Sequence, residues 1–101
     1  MADSLLANKR VLITQADVFM GPALCGVFAA HGATVIASTA SLVGPDAPAA
    51  VVAAAGDIDV LIANLAIPAP ATPALEVTED EWREVFATLV DPLPRLCRAV
   101  L

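Results

Sequence analysis

Three short apolar runs limit what this chain can fold into: residues 10–14 (RVLIT), 33–37 (ATVIA) and 59–63 (DVLIA). Each is continuous rather than alternating, the pattern of strands buried on both faces in a parallel sheet covered by helices. After a short loop, Gly21 and Pro22 open GPALCGVFAAHG, where Pro fits a first helical turn and Gly32 stands at a left-handed helix stop. Strand, loop and helix make the first half of a βαβ unit. Between the second and third runs, residues 41–48 read as loop and 49–55 as a short Ala-rich helix ending at Gly56, which leaves no room for another strand. A proline-punctuated loop at 67–75 leads to Thr78 and Glu81, a capping box in which the hydroxyl accepts from a backbone N–H and the carboxylate reaches back. From Thr78, the stripe Trp82, Val85, Phe86, Leu89 and Val90 has the spacing of an amphipathic helix. Pro92 and Pro94 should interrupt it, with the helical pattern resuming at Leu96. The expected fold is α/β, a Rossmann-like doubly wound parallel sheet with a shortened region before the strand that ends in Asn64. Its ligand belongs above the carboxyl ends of the strands.

A chain of 101 residues makes one domain at most. With 58% hydrophobic residues, much of it must be buried against something. No apolar run reaches the roughly 18 residues of a membrane span, so a membrane partner is not expected, and the N-terminus lacks the layout of a secretory signal. Five Lys and Arg against a net charge of -6 exclude a nucleic-acid partner. Cys25 and Cys97 lie in apolar contexts without CxxC spacing, as in a reduced, cytoplasmic protein, and no metal site is expected. The acidic cluster at 76–84 reads as a solvated helix start. Leu101 falls in mid-helix without a polar cap, so residues 1–101 are expected to be the N-terminal part of a single longer domain.

Three blocks in order, KRVLITQADVFMGPALCGVFAAHGATVIAST, DIDVLIANLAIP and EVTEDEWREVFATL, resemble the first half of a short-chain dehydrogenase/reductase. Nicotinamide-binding members of that superfamily usually carry Thr-Gly-x-x-x-Gly-x-Gly after the first strand, so that backbone and pyrophosphate can approach closely at a helix N-terminus. Here the glycine positions hold Gln15, Phe19 and Gly21. The resemblance further places Thr39 where an acid would bind ribose, Asn64 and Ala66 within a degenerate Asn-Asn-Ala-Gly, and Leu89 where the family's helix Asn stands. All of these departures weaken dinucleotide binding. Thr14, Phe19 and Gly21, with Leu89 and Pro94, also resemble the pattern of halohydrin dehalogenases, which work without the cofactor.

That resemblance implies a small-molecule substrate, no cofactor, and a vicinal halohydrin closed to an epoxide. The family's Ser, Tyr and Arg (Lys in reductases) would lie beyond Leu101, so no catalytic residue is assigned here. The candidate loop comprises Thr14, Gln15, Phe19, Met20 and Gly21. Phe19 either walls a halide pocket with its positive ring edge or plugs the loop of an unused site, while amides near the Gly21 helix start could favour an anion. Thr14 is expected to anchor its strand end through a backbone bond, and Asn64 to tie neighbouring strand ends together. His31 reads as a helix-end residue, and Asp57 and Asp59 lie at the end of the sheet away from the ligand. Two other readings stay open: an NAD(P)-dependent oxidoreductase, and a catalytically silent interaction subunit. The Thr78 helix is expected to support a homo-oligomer, a dimer or tetramer.

Overall fold

Because the sheet's central strand lies between two neighbours that follow it in sequence, the chain must cross over it. In a computed structural model, which describes residues 5–68 and 71–101, the elements are β1 (Arg10–Ile13), α1 (Gly21–Ala30), β2 (Thr34–Ala37), α2 (Ala47–Ala55) and β3 (Val60–Ile62). A 3-10 turn at Ala74–Glu76, α3 (Glu79–Leu89) and α4 (Pro92–Val100) follow. All three strands are parallel in the order β2-β1-β3, with Leu12 opposite both Ile36 and Leu61. One helix and no strand separates β2 from β3, as the shortened region requires.

Strand alternation divides the core into two layers. Val11 and Ile13 point to the α1 side, where they meet Leu24, Cys25 and Phe28. Leu12 points the other way into a cluster with Val51 and Ala55 of α2 and Leu96 of α4. Helices therefore cover both faces, the doubly wound arrangement. The continuous apolar runs follow directly, since neither face of β1 meets water.

Helix boundaries follow local chemistry. At the end of α1, Gly32 adopts φ 91°. Gly32 N–H donates to Ala29 and Ala33 N–H to Phe28, a Schellman stop for which the left-handed glycine is needed. α2 begins at Ala47, two residues earlier than expected, because Pro48 sits in its first turn, where a missing N–H costs nothing. The same rule corrects the last helix: Pro92 begins α4 rather than merely breaking α3, so the helix resumes well before Leu96. The Thr78 hydroxyl accepts from Glu81 N–H as expected (3.1 Å), but Glu81 does not close the capping box. Its carboxylate accepts instead from the Thr72 hydroxyl at 2.6 Å, pinning the preceding loop to α3. That loop contains the 3-10 turn, and residues 69–70 of the 67–75 segment lie outside the described residues.

α3 stands apart from the sheet. It has no buried residue, and Trp82, placed on the helix's apolar stripe, is 56% exposed. The radius of gyration is 15.3 Å, against about 13 Å for a compact chain of this length. No helix among the described residues is long and apolar enough to cross a membrane.

Candidate functional site

The order β2-β1-β3 places the carboxyl ends of β1 and β3 side by side; the chain after β1 runs through α1 on one face of the sheet, and the chain after β3 leads to α4 on the other. Open α/β sheets bind ligands at such a switch point. Two loops leave this edge, residues 14–20 after β1 and residues 63–68 after β3. Between them lies a cavity of about 380 Å³ lined by Gln15, Val18, Phe19, Ala66, Ile67 and Pro68.

Buried polar side chains knit the loops together. Thr14, 1% exposed, donates its hydroxyl proton to the Asn64 carbonyl at 2.9 Å. The buried Asn64 donates its side-chain amide to the carbonyls of Gln15 (2.9 Å) and Val18 (3.0 Å). Gln15 reaches back, its Oε1 accepting from Ala66 N–H at 2.5 Å. Thr14 and Asn64 thus have the anchoring roles expected of them, which follow from the need to satisfy buried carbonyls where the sheet ends.

The backbone of the first loop retains a glycine-rich shape without most of the glycines. Gln15 has φ 44° and Phe19 has φ 53°, both in the left-handed region that side chains disfavour. Gly21 is a glycine for a different reason: a Cβ there would run into the backbone of Ala16, 2.8 Å from its Cα. Met20 is the residue before α1 and gives its carbonyl to Leu24 N–H at 2.9 Å. Gly21 N–H is already bonded to the Val18 carbonyl at 2.9 Å, and Pro22 has none. The expected anion-favouring amide at Gly21 is therefore occupied, because the loop turns tightly enough to use it internally.

Phe19 is 74% exposed and forms an outer wall of the cavity without filling the crevice. Thr39 does not join this site. It is exposed and lines a second cavity of about 500 Å³ between the end of β2 and α2. Leu89, at the last residue of α3, lines neither of these cavities. Asp59 and Arg10 sit at the opposite end of the sheet, where the Asp59 carboxylate accepts from Arg10 N–H at 2.8 Å. The Arg10 side chain donates to the carbonyls of Asp57 (2.6 Å) and Ala55 (3.0 Å), so this cluster staples the start of β3 to β1. Both cysteines are free thiols, and the described residues contain no cluster of His, Cys, Asp and Glu suited to a metal ion.

Neither a protein-family model nor a curated protein matches the sequence. Structure comparison does find relatives. A solved dehalogenation enzyme superposes with a TM-score of 0.81 at 30% identity, covering 95% of this chain and 48% of that one. A double mutant of a Serratia marcescens short-chain dehydrogenase/reductase superposes with a TM-score of 0.82 at 18% identity, covering 94% of this chain and 52% of that one. The chain has a short-chain dehydrogenase/reductase-like fold. It spans about half the length of these two structures. Within this short-chain dehydrogenase/reductase-like frame, the cavity lies on the side of β1 next to β3, where the loops at Phe19 and Ala66 meet.

The cavity's chemistry is limited by its lining. Among the described residues that line it, Gln15 is the one with a polar side chain, and none of the six is titratable. Such a lining suits a small, largely apolar molecule, and none of its described side chains can move a proton. The role of Gln15 was not visible in the sequence, because the bond to Ala66 joins positions 51 residues apart.

Proposed function

We propose that this chain is the N-terminal half of a halohydrin dehalogenase-like enzyme that forms an epoxide from a vicinal halohydrin without a nicotinamide cofactor. The observation that carries the reading is the first loop: Gln15 and Phe19 hold left-handed backbone at positions where the resemblance expects the glycines that let a pyrophosphate approach. The 30% identity to a dehalogenation enzyme supports it. In the reaction the substrate hydroxyl loses its proton, its oxygen forms a bond to the neighbouring carbon, and the carbon–halogen bond breaks to release halide. In this reading the cavity receives the halogen end of the substrate. Phe19 offers a polarisable ring edge, and the apolar lining excludes water that would compete for the alkoxide. The family resemblance assigns the proton acceptor, a Tyr, outside residues 1–101, and none of the described lining side chains is titratable. The test is to incubate full-length protein with a short vicinal halohydrin and measure halide and epoxide together. One halide per epoxide supports the reading, and no release across a substrate panel removes it.

A second reading, an NAD(P)-dependent oxidoreductase, is favoured by one feature, the close packing of Gly21 on Ala16 that preserves the turn of a phosphate loop. Tight NADPH binding by the full-length protein would select it.

We also propose that α3 joins copies of the protein into a homo-oligomer. The Trp82 and Phe86 rings lie in tilted contact at a centroid distance of 4.9 Å and remain 56% and 38% exposed, and Val90 and Leu93 nearby in sequence are exposed as well. Exposed aromatic area of this kind commonly marks an interface.

A further inference from the structure

Gln15 holds a backbone conformation that costs a side-chain-bearing residue free energy, and glycine would hold it without that cost. What its side chain does there is specific. The Gln15 Oε1 accepts from Ala66 N–H, joining the loop after β1 to the loop after β3 directly across the switch point. Thr14 and Asn64 also join these loops, but at the strand end. Beyond Asn64, among the described residues, the side-chain tie to the second loop is the Gln15 bond to Ala66. Gln15 and Ala66 both line the 380 Å³ cavity, so the bond sets the separation of the cavity walls. Phe19, 74% exposed, makes no comparable bridge among the described residues.

We infer that Gln15 is the positioning and specificity-determining residue of this site: its carboxamide latches the two loops together, closing the crevice to a dinucleotide and sizing it for a small ligand. A pyrophosphate draws on backbone N–H groups at the loop and helix start, and it must lie where the latch crosses. In this chain Ala66 N–H is engaged by Gln15 and Gly21 N–H by Val18. The inference deepens the dehalogenase reading only in the identity of the small ligand; the latch itself stands without it.

The test uses full-length protein with Gln15→Met, equal in reach but without an acceptor, and Gln15→Glu, which keeps one. Hydrogen exchange at the Ala66 amide reads the latch, and steady-state halide release reads its consequence. Gln15→Met is expected to exchange Ala66 about tenfold faster and to raise KM about fivefold with kcat changed less than about twofold. Gln15→Glu is expected to retain the wild-type exchange rate at Ala66. Unchanged exchange in Gln15→Met, or a fall in kcat with KM unmoved, overturns the inference. If Gln15→Met does not fold, Gln15→Asn, one methylene shorter, is expected to give the same acceleration and decides by the same criterion. A wild-type protein that releases no halide would remove the dehalogenase reading, while the Ala66 exchange rates would still decide the latch.

Discussion

Thr14 and Asn64 secure the ends of adjacent strands to each other: the Thr14 hydroxyl donates to the Asn64 carbonyl at 2.9 Å, and the Asn64 side chain donates onward to Gln15 and Val18. Both residues are nearly inaccessible to water. The loop after β1 is therefore shaped from its neighbour as much as from its own sequence.

Replacing Asn64 with Leu removes two hydrogen bonds between the loops, while the Gln15 and Val18 carbonyls keep their backbone bonds from Val18 N–H and Gly21 N–H. The expected cost is about 1–3 kcal/mol, the net worth of two hydrogen bonds, since neither carbonyl is left wholly unpaired. Urea denaturation of full-length protein measures it, and a cost below about 0.5 kcal/mol would mean that the loop holds its shape without Asn64.

Gly21→Ala should be more damaging than its single added methyl suggests. The new Cβ meets backbone, which cannot rotate away, so α1 must move off the β1 loop. A loss of about 3 kcal/mol is expected, seen as a lower urea midpoint. Gly26→Ala is the control, since a Cβ there meets nothing within 4 Å, and an exposed helix interior gains about 0.5–1 kcal/mol from that exchange.

At Phe19 stability and function are expected to move in opposite directions. Its φ of 53° costs about 1 kcal/mol, and its exposed ring contributes little packing. Phe19→Gly should then leave stability unchanged or raise it by up to about 1 kcal/mol, while halide release falls about tenfold or more as one wall of the cavity is lost. Equal turnover in the variant would show that Phe19 only occupies an unused loop.

The strands could be read from sequence because burial on both faces leaves continuous apolar runs, as at Val11, Leu12 and Ile13. Helix ends were legible where a residue's chemistry is local, as with Gly32 and Thr78. The interruption expected before Pro92 does occur, between Leu89 and Pro92, but the immediate restart is not legible: a proline reads as a breaker or as a first-turn residue depending on where the preceding helix ends. Glu81 looked like half of a capping box, but its partner is Thr72, nine positions upstream in an irregular loop. Most of the site lay in the same blind spot. That Gln15 and Phe19 depart from glycine is plain in the sequence; that Phe19 faces solvent while Gln15 spans the crevice depends on contacts between distant loops.

For α3, Trp82→Ser combined with Phe86→Ser is expected to leave the melting of the assembled sheet little changed, because neither ring is buried in the chain. Sedimentation of the full-length protein should shift toward smaller species. An unaltered oligomer with the double substitution would place the interface elsewhere.

The central claim, that the crevice between β1 and β3 takes a halogenated substrate in place of a dinucleotide, is tested most directly by following halide release from full-length protein with and without saturating NADPH. The account predicts release in the absence of nucleotide, at a rate that added NADPH does not change. Tight NADPH binding together with no halide release, or release that requires the nucleotide, would contradict it.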